Sequence, residues 1–140
     1  MPDEPDFSDL LSGASAAVLT TYRRDGSALT SPVWVALGDG AFEIVMTAKD
    51  GKVKNLQRDA RCVLVIFETS PPFRGVEARA DAELETGSRV DEVRRRIASR
   101  YLGEEGGARF TSARADVPSV IVRVPKTDAR SWDLSKITAD

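Results

Sequence analysis

The sequence contains no histidine. Histidine supplies the general base of Ser/His and Cys/His nucleophile pairs, and it is the commonest metal ligand. Its absence excludes imidazole acid–base catalysis and histidine-ligated zinc. The carboxylates do not replace it, because most of them alternate with basic residues on faces that we expect to be hydrated. Catalytic residues therefore stay unassigned, and no metal site is expected.

Cysteine is nearly absent as well. The single residue, Cys62, cannot form an intramolecular disulfide or a Cys-x-x-C metal or redox site. It opens a hydrophobic segment, where we expect a small buried side chain rather than a reactive thiol. A reducing compartment suits such a chain.

Long hydrophobic runs are missing too. No stretch approaches the roughly 20 apolar residues that span a bilayer, and the acidic first residues lack the basic end of a signal peptide. We therefore expect a cytoplasmic protein with no membrane partner.

The chain has no large excess of positive or negative charge, since 20 Lys and Arg against 22 Asp and Glu leave a net charge of −2. This balance argues against a nucleic-acid partner.

What remains is the composition of an ordinary globular domain. The 140 residues are 41% hydrophobic and 30% charged, which excludes collagen-like and disordered chains. A chain of this length can bury a core of its own. No internal repeat or linker is visible, so we expect one domain over residues 1–140.

Short apolar segments separated by turn residues predict a mainly β protein. Asp25-Gly26 and Gly38-Asp39-Gly40 indicate hairpins, so the first three strands are expected to form an antiparallel meander. Pro32 in the second strand indicates an edge or a bulge, because proline donates no hydrogen bond to a neighbouring strand. The predicted strands are 16–22, 28–37, 42–48, 61–69, 76–85, 118–124 and 129–134.

Apolar residues three or four apart predict helices between these strands. A short helix is expected at residues 7–11 and a second within 49–59. Antiparallel strands joined by hairpins, with few helices, predict a small β-barrel with flanking helices.

The longest predicted helix begins at Ser88 and ends at Gly103, with residues 104–108 as a loop. The run Arg94-Arg95-Arg96 covers more than one face of this helix, and we expect it to be exposed to solvent.

The first candidate site is a basic segment at residues 49–61, with five basic and two acidic side chains. It follows a buried strand and opens a helix, where free N–H groups and the helix dipole favour an anion. Lys49 and Lys52 can reach this point, and Thr47 offers a hydroxyl. A phosphate-bearing ligand would fit there, and the alternative is a solvated helix face.

The second candidate site is the segment from Ser31 to Trp34. Its proline frees backbone groups, and its indole offers a flat surface for a planar heteroaromatic ligand. The alternative is that Trp34 fills the core or a dimer interface. Phe73 and Arg74 follow two prolines in an exposed loop, where they could cover a ligand or contact a partner. An ordinary mobile loop is the alternative.

The strand order and the segment TAKDGKVKNLQRDAR at residues 47–61 carry a family resemblance. The chain resembles the pyridoxamine 5'-phosphate oxidase-like superfamily, and within it the small flavin or deazaflavin oxidoreductases of actinobacterial type. This resemblance implies an FMN-binding-like split β-barrel. Two departures are visible. Asp50 replaces a basic residue that deazaflavin-binding members often carry, and the lack of histidine removes the Arg-x-His pair of the vitamin-forming oxidase.

The resemblance also implies a function. It predicts a homodimer that binds coenzyme F-420 in an interface groove and transfers a hydride to an unsaturated small-molecule substrate. An FMN-dependent reductase or oxidase and a non-catalytic flavin, deazaflavin or small-ligand carrier are the alternatives. Lys52 would contact the cofactor phosphate, and Phe73 and Arg74 would come from the other subunit. The implied cofactor-binding residues are Ser31, Pro32, Val33, Trp34, Val45, Met46, Thr47, Lys49, Lys52, Asn55, Phe73 and Arg74.

Overall fold

The computed structural model describes residues 8–11 and 14–138, and this part of the chain forms nine strands and three helices. The helices are α1 (Gly51–Arg58), α2 (Val90–Ala113) and α3 (Ser135–Thr138). The strands are β1 (Ala16–Tyr22), β2 (Ala28–Pro32), β3 (Ala36–Leu37), β4 (Ala41–Thr47), β5 (Arg61–Phe67), β6 (Gly75–Asp81), β7 (Glu83–Glu85), β8 (Ser119–Pro125) and β9 (Ala129–Trp132).

The strands form two antiparallel sheets that enclose one core. The first sheet has the order β2-β1-β5-β6-β9 and the second has the order β3-β4-β8-β7. Alternate residues of each strand point inward, so that Leu19, Ile66, Phe42 and Val122 from both sheets meet in the buried cluster. The prediction of a mainly β split barrel with flanking helices is confirmed.

The predicted three-stranded meander is wrong. The Asp25-Gly26 turn joins β1 to β2 in the first sheet, whereas β3 pairs with β4 in the second. The predicted strand at 28–37 is therefore two strands, separated by residues 33–35. Pro32 ends β2 at the edge of its sheet, as expected for a residue without an N–H group.

The predicted strand at 76–85 divides in the same way. Its first part is β6, which pairs with β5, and its second part is β7, which pairs with β8. The chain changes sheets at Ala82, between the two. Both divisions occur where the alternating apolar pattern continues from one sheet into the other.

The predicted loop at residues 104–108 is also wrong. Gly103 interrupts α2 with a φ of 79°, but the chain then resumes a helical path to Ala113. A Cβ on Gly107 would lie 2.2 Å from the Ser99 Oγ and 2.8 Å from the Ser99 backbone. Glycine is thus needed where the two halves of α2 touch.

The predicted helix at residues 7–11 lies partly outside the described residues, since Phe7 is not among them. Residues 8–11 form a turn whose Leu10 and Leu11 are buried. The Arg100 guanidinium donates two hydrogen bonds to the Leu11 carbonyl oxygen and a third to that of Val35. This side chain of α2 therefore ties the start of the described chain to the body.

Glu43 on β4 is fully buried and is held by three arginines. Arg89 and Arg96 reach it from the start of α2, and Arg123 reaches it from β8. Burial raises the pKa of Glu43, but hydrogen bonds from Arg96, Arg89 and Arg123 outweigh burial and leave the pKa below its ordinary value. The cluster joins α2 to the second sheet. It also shows that Arg96 is not simply exposed, contrary to the prediction.

We expect Glu43→Gln to lower the free energy of unfolding by about 3–5 kcal/mol, because three guanidinium groups would lose their shared counter-charge. Urea denaturation at neutral pH measures this change. Because the folded pKa lies below the ordinary value of 4.5, the carboxylate stabilises the fold above that value. This contribution is lost as the pH falls from there through the folded pKa.

Glu105→Gln is the matched control, since Glu105 pairs with Arg109 on the exposed surface of α2. Its loss should cost less than about 0.5 kcal/mol. Equal destabilisation of the two variants would contradict a special role for the buried cluster.

Candidate functional site

A groove of about 460 Å³ lies where the end of β4, the segment at 32–34 and the second half of α2 meet. Sites for small molecules in proteins commonly measure about 300–1,000 Å³. The groove is lined by Pro32, Val33, Trp34, Ile44, Val45, Met46, Thr47, Asp50, Lys52 and Phe110. Its apolar walls and its single charged end are the usual composition of such a site.

The aromatic wall of the groove is built around Trp34, which is 37% exposed. Its indole stacks on Tyr101, with 5.0 Å between the ring centroids and 8° between the planes. Phe110 packs against the same indole at 5.3 Å. The Tyr101 hydroxyl accepts a hydrogen bond from the Val35 N–H and donates one to the Ser15 carbonyl. The wall is therefore fixed before any ligand arrives.

The facing wall comes from the last residues of β4. Met46 is buried in the core, Val45 is half-buried against α2, and Thr47 is exposed at the strand end. Thr47 pairs with Ser119 of β8. A molecule in the groove would therefore meet aliphatic groups along β4 and a hydroxyl at its end.

The charged end of the groove is formed by Lys52 and Asp50 at the start of α1. Asp50 is the N-cap, and its Oδ1 accepts a hydrogen bond from the Lys52 backbone N–H at 2.9 Å. The Lys52 Nζ lies 3.1 Å from the same oxygen. The helix start that the sequence indicated for an anion thus carries a carboxylate of the chain itself, and the pair is neutral overall.

Seven of the residues predicted to bind the cofactor line this groove, and five do not. The seven are Pro32, Val33, Trp34, Val45, Met46, Thr47 and Lys52. Of the other five, Ser31 pairs with Leu19 in the first sheet and Lys49 is exposed in the turn before α1. Asn55 is buried, where its amide donates to the Thr21 Oγ1 at 3.1 Å and joins α1 to β1.

Phe73 and Arg74 lie in the loop between β5 and β6, away from the groove of their own chain. Arg74 forms ion pairs with Glu68, at 2.9 Å, and with Asp9. Hydrogen bonds from Arg74 lower the pKa of Glu68. Phe73 is exposed. The guanidinium is thus engaged within its own chain, while the aromatic ring remains accessible.

Sequence reasoning missed Phe110, Asp50 and Ile44 in the lining of the groove. Phe110 lies in the second half of α2, after Gly103, where no helix was predicted. The available signal was the spacing of Phe110 and Arg114, which are one helical turn apart. The Arg114 guanidinium carbon lies 3.6 Å from the centre of the Phe110 ring.

Other candidate chemistry is limited in the described part of the chain. Cys62 is buried, and burial raises its pKa to about 11, so its thiol stays protonated at neutral pH. Among the described residues, no cluster of three or more histidine, cysteine or carboxylate side chains could hold a metal ion. No helix in the described ranges is long and apolar enough to cross a membrane.

Comparisons with known proteins agree with this architecture. The family model described as pyridoxamine 5'-phosphate oxidase matches residues 4–133. No curated protein matches the sequence. Among solved structures, the conserved hypothetical protein Rv2991 from Mycobacterium tuberculosis has a TM-score of 0.81 at 25% identity, covering 98% of this chain and 88% of that one.

Two further structures share the fold at lower identity. An F420 reductase has a TM-score of 0.70 at 19% identity, covering 91% of this chain and 98% of that one. An FAD-binding protein from Mesorhizobium loti has a TM-score of 0.62 at 12% identity, covering 90% and 91%. The resemblance drawn from residues 47–61 is confirmed, and the chain belongs to the pyridoxamine 5'-phosphate oxidase family.

Proposed function

We propose that the protein holds reduced coenzyme F-420 in the groove and transfers a hydride from it to an unsaturated small molecule. The observation that carries this proposal is the pairing of a fixed aromatic wall with a lysine at one end of a groove of about 460 Å³. A flat apolar surface suits a tricyclic ring, and an ammonium group suits a phosphate. The shared fold of an F420 reductase supports the choice of cofactor.

The residues present fit the ring and the phosphate of such a cofactor in chemistry. Trp34, Val45 and Phe110 would contact the ring system, while Thr47 and Lys52 would hold the phosphate. When bound, the reduced deazaflavin supplies the hydride, and the protein supplies position and electrostatics.

The side chains of the groove would orient the reactants and exclude water. The stacked pair of Trp34 and Tyr101 fixes the plane against which a ring can lie. Reduction of a carbon–carbon double bond needs one hydride and one proton. The ionisable groups in the lining of the groove are Lys52 and Asp50, which are already paired with each other. We therefore assign the proton to solvent water.

FMN is the second candidate cofactor. Asp50 makes the lysine end of the groove neutral, and the resemblance implies a basic residue at this position in many deazaflavin-binding members. A neutral end does not distinguish the phosphate of FMN from that of coenzyme F-420. The FAD-binding neighbour from Mesorhizobium loti supports flavin binding on the same fold.

Parallel titration of the purified protein with coenzyme F-420 and FMN tests the proposal, followed by turnover of enone acceptors with the reduced coenzyme. We expect tighter binding of coenzyme F-420 and reduction of the acceptors.

Lys52→Ala should weaken binding of coenzyme F-420 by about 1.5–3 kcal/mol, or roughly 10- to 150-fold, because a charge-assisted contact with its phosphate is lost. Changes in cofactor fluorescence report the dissociation constants.

Lys54→Ala is the matched control, because Lys54 is exposed on the same helix and does not line the groove. It should change the affinity less than twofold. A yellow protein that releases flavin on heating would support FMN instead. Binding without turnover across a broad acceptor panel would indicate a carrier. No binding at millimolar coenzyme, or equal losses in the two variants, would contradict the proposal.

Asp50→Asn should strengthen the binding of FMN while leaving riboflavin unaffected. Asparagine caps a helix as well as aspartate does, so the start of α1 is retained while its negative charge is removed. The gain should be about 1 kcal/mol or more, since a lysine that holds the phosphate would no longer be neutralised by a carboxylate. Because riboflavin lacks the phosphate, an equal gain for both ligands would show that the carboxylate acts elsewhere.

We also propose that a second copy of the chain covers the outer face of the first sheet. Val18, Val63 and Val65 point outward there, because their neighbours along β1 and β5 face the core. The charged side chains of Glu77, Arg79 and Arg130 lie beside this apolar centre. An apolar centre with a polar rim is typical of a protein interface. A symmetric dimer would bring each exposed Phe73 to the partner.

Val65→Glu should convert a dimer into a monomer, because it would bury a charge at the centre of the apolar face. Light scattering during size-exclusion chromatography measures the molecular mass. Val117→Glu is the control, since Val117 is exposed in the segment before β8 and should leave the dimer intact. A monomeric wild-type protein would contradict the proposal.

A further inference from the structure

A second cavity, of about 100 Å³, adjoins the groove and shares part of its wall. Trp34, Thr47 and Phe110 line both spaces. A molecule that occupies the groove therefore lies beside the smaller space. We call this space the arginine pocket, because Arg94 and Arg114 line its far side.

Arg94 is fixed in the wall of the arginine pocket and is only 5% exposed. Its Nη1 donates to the Asp91 Oδ1 at 2.9 Å and to the Arg114 carbonyl oxygen at 3.4 Å. Its Nη2 donates to the Ser119 Oγ. A buried guanidinium held from several sides offers a charge of fixed position next to the cavity.

Arg114 lies nearer to solvent, at the end of α2. Its guanidinium carbon is 3.6 Å from the centre of the Phe110 ring, which is a close cation–π contact. Since Phe110 also lines the groove, this contact holds the guanidinium beside the wall that the two spaces share.

The two ends of the combined site differ in charge. At the groove end, Lys52 and Asp50 cancel. In the arginine pocket, two guanidinium groups are accompanied by one carboxylate, that of Asp91, which is 58% exposed. Of the described residues that line this pocket, none is acidic. An anionic group in the arginine pocket would therefore meet a net positive charge.

We propose that Arg94, Arg114 and Ser119 form an anion subsite that takes a carboxylate or phosphate of the molecule bound in the groove. The proposal rests on the groove being the ligand site proposed above. Guanidinium groups bind planar oxyanions through paired hydrogen bonds, which a single ammonium cannot do. A volume of about 100 Å³ matches such a group, since a water molecule takes up about 30 Å³ in the liquid.

The first experiment needs no redox cofactor. Benzoate and phenyl phosphate are titrated against benzyl alcohol by calorimetry, with wild-type protein, Arg114→Ala and Arg109→Ala. Because Arg94 is buried, its replacement could prevent folding. The exposed Arg114 is therefore the residue that is replaced. Arg109 is the matched control, because it is 73% exposed on the same half of α2 and lines neither space.

We expect the two anions to bind wild-type protein at least tenfold more tightly than benzyl alcohol, and added salt to weaken only the anions. Arg114→Ala should reduce their affinity about tenfold without affecting benzyl alcohol, while Arg109→Ala should change nothing. Equal binding of charged and neutral probes, or equal effects of the two variants, would overturn the proposal.

A second experiment identifies which molecule carries the anion. If Arg114→Ala weakens coenzyme F-420 in the absence of acceptor, the cofactor carries it. If coenzyme affinity is unchanged and KM rises for an enone acid but not for its amide, the substrate carries it. Either result supports the subsite. If Arg114→Ala changes neither the coenzyme affinity nor the KM of the enone acid, the subsite proposal is overturned. If no redox cofactor binds at all, the function proposed above fails, while the probe titrations still decide the subsite.

Discussion

The groove depends on one step of the chain, which is its departure from the first sheet just after Pro32. β2 lies at the edge of the first sheet, where Pro32 needs no partner for its missing N–H group. After a last hydrogen bond from the Val33 N–H to the Ala17 carbonyl oxygen, the chain crosses to the second sheet. This crossing leaves Trp34 between the sheets and α2, where it is 37% exposed although its ring is stacked. The same step that divides the barrel into two sheets therefore creates the aromatic wall of the site.

The other side of the site depends on how α2 is held. The buried cluster around Glu43 anchors the first half of α2 to β4 and β8. Gly103 then redirects the chain, and Gly107 allows the second half to pack against Ser99. Phe110 reaches the groove only because both conditions are met. The buried ion cluster and two glycines thus position a residue that takes no part in the cluster.

Local patterns predicted most elements of the fold but not where the chain changes sheets. β1, β4, β5, β8 and α1 follow from apolar spacing and turn residues. The crossings at 33–35 and at Ala82 leave the alternation of apolar residues nearly intact, so local spacing does not reveal them. In the candidate site, the basic segment indicated Lys52 and the proline–indole segment indicated Trp34, and both line the groove. Local spacing could not show that Asn55 faces Thr21, because the orientation of a helix depends on what it packs against.

The run from Arg94 to Arg96 shows why charge runs are poor guides to site chemistry when only sequence is known. Successive helical residues point about 100° apart, so three identical side chains enter three environments. Arg94 is buried beside the arginine pocket, Arg95 is exposed, and Arg96 neutralises Glu43. Conversely, the basic segment at residues 49–61 looked like the strongest anion site, yet Asp50 neutralises Lys52. Net charge along the sequence therefore indicated the neutral end of the site and missed the positive one, because pairing in three dimensions decides which charges remain available.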